Sequence, residues 1–231
     1  MTKLLEELEE IVADCTMCNL HCTRTKAAFA RGDSKSPLMI IGEAPSKEDD
    51  AKGVPFVGKP GQFLTKLLAA AKVPEDQVYL TNLLKCMPPK GRFPDGDQPG
   101  KCSGFLYKQI KEVNPKAIIV MGERALQYVL LHETHENPQP LMPWINKQYR
   151  RRDRYGDSRI LCVYHPAYLM RRDDEIDMED WINAVASLWS YVEHKVAGTP
   201  PAPIPFRDIR PAPIVPRQGR SLFAEERKKV L

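Results

Sequence analysis

Four short apolar runs, at residues 38–41, 78–80, 117–121 and 160–163, each end in a break and alternate with stretches of helical periodicity. Runs this short suit strands buried on both faces. Helical patterns cover 4–12, 62–71, 104–113, 123–131 and 178–196. The last carries Trp181, Ile182, Val185, Leu188 and Trp189 on one face, which reads as core. Strand and helix in alternation predict an α/β chain around a largely parallel sheet. At 231 residues and 42% hydrophobic content it can bury one sizeable core. Beyond Ala197 the composition changes: seven prolines fall between Pro200 and Pro216, and Pro-Ala-Pro-Ile occurs at 201–204 and again at 211–214. The expected organisation is a globular unit over 1–197 and an extended or disordered Pro-rich tail over 198–231.

In an open parallel sheet, ligands bind where the strands end. The residues after the four runs are Gly42-Glu43-Ala44-Pro45, Thr81-Asn82, Gly122-Glu123-Arg124 and Tyr164-His165-Pro166. Glu43, Asn82 and His165 are therefore expected to converge, although an Asn at a strand end also serves turns and a lone His is often structural.

The formal net charge is +4, and the tail accounts for all of it: seven Arg/Lys against three acids after residue 197. Any nucleic-acid contact by the body must come from local patches, the densest being 147–154 with five basic residues and one Asp, a run that a solvated loop explains equally well. The acidic, helical N-terminus and the lack of a membrane-length apolar stretch predict a cytoplasmic protein, and a nucleic-acid role would make it nucleoid-associated. Six cysteines in such a chain argue for ligation or burial over disulfides. Cys15 and Cys18 form a C-x2-C pair, and Cys86 and Cys102 bracket a Pro- and Gly-rich segment. Cys22 competes as a ligand, and Cys162 lies in a strand. Zinc and a [4Fe-4S] cluster both accept four thiolates, so spacing alone leaves the metal open.

Gly42-Glu43-Ala44-Pro45, Pro55-Phe56-Val57-Gly58, Tyr79-Leu80-Thr81-Asn82, Lys85-Cys86-x-Pro88-Pro89 and Tyr164-His165-Pro166-Ala167-Tyr168-Leu169, in that order, closely resemble the family 4 uracil-DNA glycosylases of bacteria and archaea. The resemblance runs from about Cys15 to Trp189. It implies a three-layer α/β/α sandwich around a four-stranded parallel sheet, a [4Fe-4S] cluster on Cys15, Cys18, Cys86 and Cys102, and hydrolysis of the N-glycosidic bond of uracil flipped out of DNA.

Carried over residue by residue, it makes Glu43 the carboxylate that orients a water and offsets oxocarbenium charge. His165 donates toward uracil O2, and Asn82 pairs with uracil N3–H and O4. Phe56 stacks on the base, peptide N–H groups after Gly42 and at Ala44 add to the pocket, and Asp49 stands near uracil C5. Leu169 and Met170 form the wedge that enters the minor groove, with Arg171 and Arg172 near phosphates.

The chain departs from that pattern at Ser46, where the family has Gly, at Met87, where it has Arg, and over 90–100. Ser46 is expected to crowd the pocket or shift its loop. In the tail, which the resemblance does not cover, Ser221-Leu222-Phe223 with Gln218 upstream looks like the end of a sliding-clamp motif; a basic electrostatic tether is the competing reading. The body is expected to be a monomer. The rival functions are a glycosylase fold kept only for binding DNA or a replication partner, and an electron carrier that needs only the cysteines.

Overall fold

The computed structural model describes residues 2–89, 97–131, 145–153, 156–172, 174–199 and 207–208. The first half runs α1 (Lys3–Ala13), β1 (Ala30–Arg31), β2 (Leu38–Gly42), α2 (Lys47–Lys52), α3 (Lys59–Ala70) and β3 (Val78–Asn82). The second runs α4 (Gln98–Val113), β4 (Ala117–Met121), α5 (Glu123–Leu126), β5 (Gln148–Asp153), β6 (Gly156–Val163), α6 (Pro166–Arg172), α7 (Glu175–Ala197) and β7 (Arg207–Asp208).

The four apolar runs form the parallel centre of the sheet, in the order β3-β2-β4-β6. Successive strand side chains point to opposite faces, so each run feeds two cores. Met39, Ile41, Ile118, Val120 and Cys162 pack under α1 and α4 with Leu8 and Phe105. Leu38, Ile40, Val78, Ile119 and Leu161 pack under α3 and α7 with Leu64, Trp181 and Leu188. The result is a three-layer α/β/α sandwich.

The sheet is wider than the four strands expected. Among the described residues it has seven, in the order β1-β3-β2-β4-β6-β5-β7. β1 pairs antiparallel with β3, β5 antiparallel with β6, and β7 parallel with β5. These edges carry little apolar signal: β1 and β7 are two residues each, and β5 is Gln-Tyr-Arg-Arg-Arg-Asp, which reads as charged loop. The basic run at 147–154 is thus mostly the strand next to the two-residue edge strand β7, with Arg150 paired to Asp157 at 2.8 Å.

Helix α3 begins three residues before the expected start at 62, capped at Gly58 with Pro60 in its first turn. Gly61 is inside this helix, not a break before it. A Cβ there would stand 1.9 Å from the Phe56 carbonyl oxygen, so the residue is required by close approach. The helix expected over 123–131 is one α-turn followed by a π-helical turn, Gln127–Leu131. α7 stops at Gly198, whose φ of +71° supplies the left-handed cap. No helix among the described residues is long and apolar enough to cross a membrane. Residues 90–96 of the divergent loop, and Gln218, Ser221, Leu222 and Phe223, lie outside the described residues.

Candidate active site

Because β2 lies between β3 and β4, the chain leaves β2 to one side of the sheet and later crosses to the other. The crevice at the carboxyl ends of β2 and β4 is where such a sheet receives a ligand. The β2 wall is fastened to the neighbouring end of β3: Leu83 N–H donates to the Gly42 carbonyl and Leu84 N–H to the Glu43 carbonyl, each at 2.9 Å.

Glu43 reaches across this crevice, and its Oε1 accepts from the Arg124 peptide N–H at 2.9 Å, at the start of α5. Gly122 makes the approach possible. Its φ is +105°, and a Cβ there would stand 2.5 Å from Glu43 Cδ. Burial raises the Glu43 carboxyl above its ordinary pKa; the Arg124 peptide opposes this and Glu123 adds to it. Glu43 is therefore a fixed carboxylate that takes up a proton more readily than a surface one.

Asn82 is 1% exposed, and among the described residues neither Oδ1 nor Nδ2 has a hydrogen-bond partner. Leaving a buried carboxamide unpaired costs about 1–3 kcal/mol per polar group, so the site is arranged for something that supplies a complementary edge. Beside it lies Phe56, buried and held at a φ of +60°, which an aromatic residue adopts only under constraint. Gly42 lets the two meet: a Cβ there would fall 2.5 Å from Asn82 Oδ1 and 2.7 Å from Phe56 Cζ.

The constraint on Phe56 comes from Asp49. Its Oδ1 accepts from Val57 N–H at 2.8 Å and its Oδ2 from Ser46 N–H at 3.0 Å. Ser46 Oγ in turn accepts from Asp49 N–H at 3.2 Å, closing a capping box on α2. Both Asp49 oxygens are committed to backbone, so its visible work is to clamp the Phe56 loop. The Ser46 departure is accounted for in the same way: its hydroxyl caps α2.

His165 follows β6, where Trp181 Nε1 holds the Tyr164 carbonyl at 3.1 Å. Its Nδ1 accepts from Ala167 N–H at 3.2 Å, which leaves the ring proton on Nε2. Burial, helped by Arg171 and opposed by Asp49, lowers its pKa to about 4, so the ring is neutral at neutral pH.

The wedge expectation is corrected at one of its two residues. Leu169 is fully buried in the core beneath α3 and α7, whereas Met170 next to it is 42% exposed. On a helix, neighbours point about 100° apart, so only one of an adjacent apolar pair faces solvent here. Arg171 and Arg172 are exposed, and Arg172 donates to the Tyr168 hydroxyl at 3.0 Å and meets Asp174 and Asp177.

Cys15, Cys18, Cys86 and Cys102 line one pocket at the C-terminal end of α1, together with His21, Arg24, Lys85 and Lys101. Arg24 donates to Cys86 Sγ at 3.2 Å and to the Ala13 and Cys15 carbonyls. Burial pushes the Cys102 thiol up to about 12 and raises that of Cys86, although Arg24 counters the latter. Among the described residues no three Cys, His, Asp or Glu side chains are grouped tightly enough to hold a single metal ion. Cys22 is exposed outside the pocket, and Cys162 is buried in the core. Ala44, Cys18 and Cys102 pack against one small cluster of Leu20, Leu84 and Cys86, which joins the cysteine pocket to the strand-end crevice.

The sequence assigns no site role to Arg124, Gly122, Gly61, Trp181 or Lys85, although it places Gly122 and Arg124 at a strand end and Trp181 on a core face. A Gly directly after a strand is the usable signal for Gly122; the others act through a peptide group or from within the core.

A family model described as the Uracil DNA glycosylase superfamily matches residues 29–189. The chain is similar to the type-4 uracil-DNA glycosylase of Thermotoga maritima, 33% identical over 181 residues, 75% of this chain and 88% of that protein. It is 32% identical to the type-4 enzyme of Archaeoglobus fulgidus over 172 residues, 73% of this chain and 85% of the other. With that of Sulfurisphaera tokodaii it shares 34% over 164 residues, 71% and 74% of the two chains.

Proposed function

The chain belongs to the uracil DNA glycosylase superfamily, and on that premise we propose that it hydrolyses the N-glycosidic bond of uracil in DNA, leaving an abasic site. The observation that carries this reading is the Asn82 carboxamide, buried beside Phe56 with its acceptor and its donor both unpartnered among the described residues. Uracil offers the matching edge: N3–H donates to Oδ1 and O4 accepts from Nδ2. Cytosine reverses both polarities. A base in a duplex reaches such a pocket only by leaving the stack, and Phe56 offers the surface on which it lands.

As the C1′–N1 bond breaks, negative charge gathers on uracil N1 and O2 and positive charge on the sugar. Neutral His165, with its proton on Nε2, donates toward O2. Glu43 holds a water against C1′, offsets the oxocarbenium charge and accepts the water's proton as the C1′–O bond forms. The products are uracil, protonated from solvent, and the abasic sugar. Met170 takes the wedge role that burial denies Leu169, with Arg171 and Arg172 alongside for phosphates.

Cys15, Cys18, Cys86 and Cys102 are read as ligands of a [4Fe-4S] cluster. The donor set suits it: four sulfurs around one pocket, ringed by Arg24, Lys85 and Lys101, which complement the negative charge of a thiolate-bound cluster. Glycosidic hydrolysis transfers no electron, so such a cluster ties the end of α1 to the segment after β3. The tail over 198–231 is read as a clamp-binding or electrostatic arm on sequence alone. The test of the function is alkali cleavage of a uracil-containing oligonucleotide after incubation with the protein.

A further inference from the structure

Lys85 is 1% exposed, a position where lysine is rare. Its Nζ donates to Thr81 Oγ1, the Asn82 carbonyl and Gln109 Oε1, each at 2.6 Å, which matches the three protons of an ammonium. The acceptors are anchored in turn. Thr81 Oγ1 donates to the Phe29 carbonyl at 2.7 Å, and Gln109 Nε2 donates to the Tyr79 hydroxyl at 3.1 Å. Among the described residues Lys85 makes no ion pair with a carboxylate. Its side chain borders the cysteine pocket on one side and the last peptide of β3 on the other.

That peptide is decisive for the crevice. Asn82 closes the register of β3 against Gly42, and the next two N–H groups are fastened to the Gly42 and Glu43 carbonyls. The Asn82 carbonyl receives the Lys85 ammonium. A buried carbonyl needs a donor, and a neutral apolar side chain at 85 supplies none. Desolvating an ammonium merely to finish a turn is an expensive solution.

We propose that Lys85 is a positioning residue for base recognition: it fixes the Asn82 peptide from the cysteine side and so sets where the Asn82 carboxamide meets the base. This rests on the reading of Asn82 as the uracil-reading side chain. The three groups it holds are all neutral, so Lys85 acts as a rigid three-point anchor.

The test is a double-mutant cycle on the iron-loaded full chain, read as single-turnover excision of uracil, with iron content measured alongside. Lys85→Met should lower the rate about tenfold or more at unchanged iron per chain. In an Asn82→Ala background the same substitution should change it by less than about twofold, because no carboxamide remains to be positioned. Equal losses in both backgrounds, or a wild-type rate in Lys85→Met, overturn the proposal. If Lys85→Met does not fold, Thr81→Val, which removes one of the three acceptors, carries the same cycle and is judged by the same cancellation. Wild-type protein that excises no uracil would instead overturn the function itself, before Lys85 is in question.

Discussion

The Arg124 peptide N–H lies 2.9 Å from Glu43 Oε1, and this bond spans the crevice between the ends of β2 and β4. The proposed water-holding carboxylate is thus aimed by a peptide from a different strand-helix unit, with Gly122 leaving the space it needs. Gly122→Ala places a Cβ on that carboxyl at an unfavourable φ. It should cost on the order of 1–3 kcal/mol of stability and lower uracil excision by more than tenfold. Chemical denaturation and single-turnover kinetics check both.

The acid limb of the excision rate should lie above the ordinary carboxylate value of 4.5, because burial raises Glu43 and catalysis needs it ionised. Stability moves the opposite way: a raised folded pKa contributes stability below the unfolded value, lost as pH rises through the folded one. Glu43→Gln should abolish the limb, lower turnover, leave uracil-DNA binding nearly intact and gain stability relative to wild type as pH rises. A pH–rate profile and denaturation series on both proteins measure this.

His165 adds no limb near 6.5, since its pKa is lowered to about 4. A depressed folded pKa means stability present above 6.5 and lost as pH falls toward 4, amounting to about 3 kcal/mol for a shift of this size. His165→Gln should remove most of that acid sensitivity and slow excision on the order of a hundredfold. Acid denaturation midpoints of the two proteins decide it.

Leu169→Ala and Met170→Ala separate core from wedge. The first deletes a fully buried side chain and should cost about 2–5 kcal/mol of stability. The second should leave the melting temperature almost unchanged and reduce excision from duplex more than from single-stranded DNA. Thermal melts and paired kinetics on the two substrates distinguish them.

Cys86→Ala should lower iron content and stability more than the rate per folded molecule if the proposed cluster has a structural role. Protein purified anaerobically should be brown, with about four irons per chain. Colourless protein with stoichiometric zinc contradicts the assignment. For the tail, clamp titration with peptide 214–231 and its Leu222→Ala, Phe223→Ala form discriminates the two readings: equal affinity, or none, leaves an electrostatic tether.

The centre of the fold was legible because strands buried on both faces must be continuously apolar, as 38–41 and 117–121 are. The edges were not, since β5 needs no apolar face and carries three arginines. Glu43, Asn82 and His165 were reachable because a parallel sheet gathers strand ends. Their supports were hidden for separate reasons: Arg124 works through its peptide, which has no sequence signature, and Lys85 reads as a surface residue until the packing buries it. Asp49 was read as an acid near uracil C5, whereas its clamp on Val57 depends on a turn that residue types alone do not specify. Leu169 and Met170 are equally apolar, and only the packing of α6 chooses between them.

The most direct measurement is cleavage, after alkali, of a duplex carrying one uracil, using wild type and Asn82→Ala at stoichiometric enzyme. On the proposed mechanism wild type should cut at the uracil and leave a cytosine control intact, with Asn82→Ala slower on the order of a hundredfold. No cleavage by wild type, or equal rates for the two proteins, would contradict it.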